Sequence, residues 1–341
     1  MGEPARVVAW LEEHQASLVG RVVEAAGLRL VGAGSPGRGR AGAAAAALGV
    51  GALDDLRAAL AEADCDLVLL ASPGEFGASS ADLAPLVAAR SRGVRIASLE
   101  PIPATAIELA GGGWTGGNPR PIDAVRFCPL ARSSRSFRDA AEVLQMFGPV
   151  RTLAVETCCT PAEGSLGARL FAAMELVHWL MGEPETIDAA FAGPAQGPGV
   201  HALPGETLRD LHGDLTANLR YADGRAACVL ASDQSGRWSR TATLLGPNGR
   251  LRVFEDGFEW VSRAGEKVDQ ARRTKKRGSE PTPHAVEAIA ESLSRLIDPS
   301  AGDDAPLDHE SLLCMSQAAL LSARTANGES PATIRRMVSV Q

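Results

Sequence analysis

The sequence predicts two domains of different class: an amino-terminal α/β domain with a Rossmann-like, doubly wound parallel sheet, and a carboxy-terminal α+β domain with a mainly antiparallel sheet carrying helices on one face. Three observations predict this. The 341-residue length corresponds to about two domains. Residues 6–101 alternate unbroken apolar runs with helical patterns, as parallel strands covered on both faces require. Beyond residue 121, strand-like runs follow one another with turn signals between them and one long helical stretch in their midst.

In chain order, Arg6–Trp10 reads as a strand, and Leu18, Val22, Val23 and Ala26 carry the apolar face of a helix. Leu28–Ala33 is a second strand and Arg40–Leu48 an alanine-rich helix. Leu53–Ala63 reads as one helix, with Asp54 and Asp55 favourable in its first turn. Asp66–Ala71 is a continuous apolar strand ended by Ser72-Pro73, followed by a helix over Asp82–Ser91 and a strand over Val94–Ala97. The loop Gly111–Pro121 then marks a domain boundary, which divides the chain into residues 1–115 and 116–341. In the second half, strands are expected over Val150–Cys158, Leu215–Tyr221, Ala226–Ser232, Thr241–Leu245 and Leu251–Phe254. The helix Leu166–Met181 is stopped by Gly182 and Pro184. Gln270–Pro283 reads as a polar loop, before helices at Ala285–Ile297 and His309–Thr325.

Composition narrows the function. An apolar fraction of 45 % with 22 % charged residues fits a globular chain. A net charge of −7 argues against a general nucleic-acid binder. Lys267, Lys275 and Lys276 are the only lysines, so no reaction in the first 266 residues can use one. No apolar stretch is long enough for a membrane span, and Glu12 and Glu13 stand where a signal peptide is apolar. Gly2 is followed by Arg6 where a myristoylation signal has Ser or Thr. The six cysteines show no CxxC, and five lie in apolar or strand-like runs. A soluble cytoplasmic protein is expected.

Several local phrases carry a resemblance. They are Leu53–Pro73 leading into a Ser-Pro loop, Arg126-Phe127-Cys128-Pro129, and His178-Trp179-Leu180-Met181-Gly182-Glu183-Pro184. The runs from Leu215 to Ser232, from Thr243 to Val253, and from Ser311 to Gly328 add to them. In this order, over nearly the whole chain, they resemble the Gfo/Idh/MocA family, named for glucose–fructose oxidoreductase, inositol dehydrogenase and a rhizopine-catabolism protein. The resemblance implies a Rossmann domain followed by a domain with a large open antiparallel sheet. It also implies NAD(P)-dependent chemistry on sugars, polyols and related small molecules, and a homodimer or tetramer packed through the sheet.

The residues that perform that chemistry are largely replaced. A dinucleotide turn needs glycines for a tight turn and close approach to the pyrophosphate. The equivalent stretch is Trp10-Leu11-Glu12-Glu13-His14-Gln15, where an indole and two carboxylates are expected to clash with and repel a diphosphate. The ribose-binding acid is replaced by Gly34-Ser35-Pro36-Gly37-Arg38, where Arg38 or Arg40 can pair with a 2′-phosphate or simply be exposed. The family's Glu-Lys-Pro corresponds to Leu99-Glu100-Pro101, so Glu100 stands in the lysine's place. The family's Asp-x-x-x-His pair corresponds to Ala168 and Ala172, and only the acid at Glu175 remains. Weak cofactor contacts, if retained, fall to Ser72, Pro73, Arg38 and Pro101.

Other constellations have a plainer alternative beside the functional one. Glu175 and His178, three apart on one helix, form either an acid–base pair or a polar pair on a helix face. His201 and His212 with Asp214 can bind a metal, though their spacing is irregular. Arg272–Arg277 is a phosphate-contacting run or a solvated loop, and no aromatic residue is interleaved with it. Ser79-Ser80 and Ser133-Ser134 lack a nucleophile elbow. Two readings result: a diverged, non-catalytic member that binds a small, sugar-like ligand and holds NAD(P) weakly or not at all, or an atypical NAD(P)-dependent oxidoreductase using Glu175, His178 or Glu100.

Overall fold

The computed structural model describes residues 3–192, 207–273, 282–298, 300–301 and 306–339. The chain packs as two compact units, the first comprising Met1–Pro129, Ala162–Gly164 and Ala285–Pro306, the second the remainder.

The first unit holds strands β1 (Arg6–Trp10), β2 (Arg29–Gly34), β3 (Gly51–Leu53), β4 (Leu67–Leu70), β5 (Arg95–Ser98) and β6 (Val125–Phe127). All neighbours are parallel, in the order β3-β2-β1-β4-β5-β6. Helices α1 (Ala16–Ala25), α2 (Ala41–Leu48), α3 (Leu56–Glu62), α4 (Leu83–Ser91) and α5 (Ala106–Gly111) connect or follow them. This is the doubly wound parallel sheet that the apolar runs predict. Leu67, Val68, Leu69 and Leu70 are all fully buried, because a central parallel strand is covered on both faces.

Two local expectations change. Leu53 ends a strand and does not begin the helix: Asp55 caps α3, its carboxylate accepting Arg57 N at 2.7 Å and Ala58 N at 3.3 Å, so the helix starts at Leu56. The sheet also continues past the loop at 111–121, because β6 pairs with β5.

The second unit contains α6 (Arg135–Asp139), α7 (Ala141–Phe147), β7 (Thr152–Cys158), α8 (Leu166–Met181), β8 (Thr186–Ala192), β9 (Asp214–Arg220) and β10 (Ala226–Ser232). Then come β11 (Ser239–Gly246), β12 (Gly249–Phe254), β13 (Gly257–Val261) and β14 (Lys267–Arg272). Helix α9 (His284–Ile297) lies almost wholly in the first unit, and α10 (His309–Thr325) and α11 (Pro331–Ser339) complete the second. The strands form one sheet ordered β14-β13-β12-β11-β7-β10-β9-β8, antiparallel except for the pair β7–β10. Strand β14 takes in Gln270–Arg272, expected as loop; its residues are mostly exposed, so no apolar alternation marked it.

Helices α8 and α10 cover one face of this sheet. Ser165 caps α8, its hydroxyl accepting Ala168 N at 3.0 Å, and Gly182 ends it at φ 80°. On β9 and β10 the buried residues Leu215, Ala217, Leu219, Ala227, Val229 and Ala231 alternate with the exposed Thr216, Asn218, Cys228 and Leu230. The exposed set lines a shallow groove of about 360 Å³ on the open face. Among the described residues, no helix is long and apolar enough to cross a membrane.

Candidate functional site

In an open parallel sheet, ligands bind outside the carboxyl ends of the strands where the strand order reverses. In the first unit that point lies between β1 and β4. Three side chains occupy it. Trp10, at the end of β1 and 4 % exposed, lays its ring over Gly34 at the end of β2: a Cβ built on Gly34 would lie 2.0 Å from Trp10 Cζ3. Gln15, 4 % exposed, donates from Nε2 to Ala71 O at 3.2 Å and accepts Glu12 N at 3.0 Å through Oε1. Its amide therefore ties the turn after β1 to the end of β4, across the reversal. Glu12 closes a capping box with Gln15 and lies 3.5 Å from Arg40.

This arrangement does not fit a diphosphate. The turn lacks the glycines that bring backbone N–H groups to phosphate oxygens, it carries Glu12 and Glu13, and Gln15 already joins the two strand ends. The indole is not in that turn, contrary to expectation: its ring takes the β2 side of the crevice because glycine at 34 leaves room for it. Arg38 is exposed, and Arg40 is held toward Glu12. Ser72 donates its N–H to Trp10 O at 3.1 Å, and Pro73 O accepts Phe76 N, so both belong to the turn beyond β4. Glu100 follows β5, and its backbone is held by the Ser98 hydroxyl, which donates to Glu100 O at 2.6 Å. Pro101 follows in a buried position.

In the second unit, Ala168 and Ala172 are buried on α8. Glu175 and His178 take different partners. Glu175 is 2 % exposed and meets Arg132 Nε at 3.0 Å, whereas His178 Nε2 lies 3.9 Å from Asp308. The second acidic partner of a histidine was missed in the sequence. His212 Nδ1 lies 2.6 Å from Oδ2 of Asp233, which is fully buried and accepts Gly213 N at 2.8 Å through Oδ1. Of the grouping weighed for a metal, Asp214 accepts the Ser232 hydroxyl. His201 and residues 274–277 of the basic run lie outside the described residues. Among the described residues, no three His, Cys, Asp or Glu side chains converge as a metal site.

The His212–Asp233 pair lies at the carboxyl end of β10, whose parallel neighbour is β7. The adjoining backbone meets the first turn of α8, where Leu166 N donates to Leu211 O at 2.8 Å. A Cβ on Gly167 would lie 1.9 Å from Leu208 O, so glycine is required for that approach. No signal short of the folded register of β9 and β10 brings residues 212 and 233 together.

Solved structures place this architecture. Levoglucosan dehydrogenase in complex with NADH and L-sorbose is 15 % identical, with a TM-score of 0.64 over 96 % of this chain and 99 % of that one. A scyllo-inositol dehydrogenase from Lactobacillus casei is 17 % identical, with a TM-score of 0.63 over 97 % and 99 % of the two chains. The chain has the fold of the inositol and levoglucosan dehydrogenases. A myo-inositol 2-dehydrogenase from Lactobacillus plantarum, at 14 % identity and a TM-score of 0.63, covers 96 % of this chain and 99 % of its own. No protein-family model matches the sequence, and no curated protein does. The likeness therefore lies in the fold, and the site residues above are this chain's own.

Proposed function

We propose that this protein binds a small polar molecule on a dehydrogenase fold without nicotinamide hydride transfer, as a sensor, regulator or partner subunit. One observation carries the reading: Gln15 ties the turn after β1 to Ala71 at the point where a diphosphate would have to lie. The replacement of lysine by Glu100 supports it, because a carboxylate opposes charge developing on a substrate hydroxyl. The alanines at 168 and 172 support it as well, since they offer no proton acceptor. Titration calorimetry with NAD⁺, NADH, NADP⁺ and NADPH tests the reading. No low-micromolar binding is expected, and such binding by any of them overturns it. Thermal shift against sugars, polyols and sugar acids should then find stabilisation without turnover, as ligand linkage requires.

A second reading has its own support in the His212–Asp233 pair. A buried carboxylate that receives Nδ1–H leaves Nε2 as a proton acceptor, and the His212 side chain is 58 % exposed. In that reading the chain is an atypical oxidoreductase that holds its cofactor in another way. Turnover of a sugar or polyol that disappears in His212→Gln favours it over the first. We further propose that the open sheet face, where Leu230 is an exposed apolar side chain, packs against a second copy of the chain. Light scattering should show a dimer or tetramer that Leu230→Glu dissociates.

A further inference from the structure

The geometry points to a separate ligand site in the first unit, and we propose that it takes a phosphate-class oxyanion. A cavity of about 290 Å³ opens at the amino ends of β5 and β6, the opposite end of the sheet from the crevice at Trp10 and Gln15. Arg90, Arg95 and Arg126 line it, with Gly93, Leu296 and a single carboxylate, Asp123. Both oxygens of Asp123 already accept from Arg120, at 3.1 and 2.9 Å.

The three arginines have different origins. Arg90 sits in the last turn of α4, where the helix dipole favours a cation, and so needs no ligand to explain it. Arg95 and Arg126 come from adjacent parallel strands. Ala97 is the register partner of Arg126, which puts Arg95 and Arg126 diagonally on one face. Both side chains belong to the lining of the cavity. The Arg95 guanidinium has no hydrogen-bond or ion-pair partner among the described residues, and Arg126 is half-buried. Guanidinium forks match the oxygens of phosphate in pairs. A cavity of this size, near the lower end for ligand pockets, holds a phosphate with a small organic group.

The site is independent of the reading at the crevice. Calorimetry in about 0.15 M salt, where long-range attraction is screened, should use inorganic phosphate, glucose 6-phosphate, glucose and acetate. The two phosphates are expected to bind with a dissociation constant of about 1 mM or below, and glucose and acetate not to bind. Tighter binding of glucose 6-phosphate than of phosphate identifies a phosphoester ligand; equal binding identifies free phosphate. Arg95→Ala and Arg126→Ala should each weaken binding roughly tenfold, the worth of one charge-assisted contact, and Arg336→Ala should leave it unchanged. In the unaltered protein, phosphate should slow phenylglyoxal modification of Arg95, read by peptide mass spectrometry. Absence of heat with both phosphates overturns the proposal. So does acetate binding as tightly, or wild-type affinity in a folded Arg95→Ala/Arg126→Ala double variant. Dinucleotide binding that survives in the double variant belongs to the crevice and bears on the other reading alone.

Discussion

The indole of Trp10 rests directly on the backbone of Gly34, its register partner on the neighbouring strand. A side chain at 34 cannot be accommodated without moving a ring that is 4 % exposed, and Leu53 O lies 2.5 Å from the same Cβ position. Gly34→Ala is therefore expected to destabilise the protein by about 1–3 kcal/mol, the cost of overpacking a filled core. Urea unfolding followed by tryptophan fluorescence measures it. An unchanged midpoint means that the ring swings aside freely and that the crevice is open to ligands.

Glu175 is a buried carboxylate held by Arg132. Removing the guanidinium leaves the charge in the interior, so Arg132→Met should cost about 3–5 kcal/mol. The double variant Arg132→Met/Glu175→Leu should recover much of that loss, because two apolar side chains replace both charges. Equal stability of Arg132→Met and the unaltered protein in denaturant titrations refutes the pairing.

Thiol reactivity should be sharply divided. Five cysteines are buried and Cys228 is exposed on the open sheet face. Burial pushes the Cys158 thiol up to about 11 and the Cys314 thiol up to about 12, so neither forms thiolate near neutral pH. Titration with a chromogenic disulfide at pH 8 should find one fast thiol per dissociated chain, absent in Cys228→Ser, and all six in denaturant. Slow reaction at Cys228 in an oligomer, and fast reaction after its dissociation, would locate the interface on that face.

Acid should unfold the protein through a few paired aspartates. The Arg6 side chain, with its own backbone N–H, holds Asp66 below the usual carboxylate range. For Asp308, burial pushes upward, but bonds from the Ser311 backbone and hydroxyl, with His178 and Arg335 nearby, prevail and lower it. A carboxylate depressed in the folded state stabilises above its unfolded value and loses that contribution as pH falls through the folded one. Stability should thus decline as pH drops below about 4. Asp66→Asn should be less stable at pH 7 and show a shallower decline in acid.

The two sheets were legible for a simple reason. Val7–Trp10 and Leu67–Leu70 are runs that only a strand covered on both faces can bury, and the even alternation from Leu215 to Ala231 suits a sheet covered on one. Strand β3 is three residues long and largely exposed, and β14 has no apolar face, so neither announced itself. Which residues stand at 100, 168 and 172 could be read directly, because that is a matter of residue identity.

Partnership could not be read in the same way. The spacing of Glu175 and His178 on one helix suggested that they meet each other, yet Arg132 lies 43 residues from Glu175 and Asp308 130 residues from His178, and these are the groups they meet. His212 pairs with Asp233 only because two antiparallel strands bring their flanking turns to one end of the sheet. The chain itself determined which groups are present and which local segments become strands or helices, since those depend on side-chain identity and short-range periodicity. Only the tertiary structure decided that Gln15 joins the turn after β1 to the end of β4, that Trp10 settles over Gly34, and that Arg95 and Arg126 share a face. Those relations depend on the register and order of strands that long stretches of sequence separate.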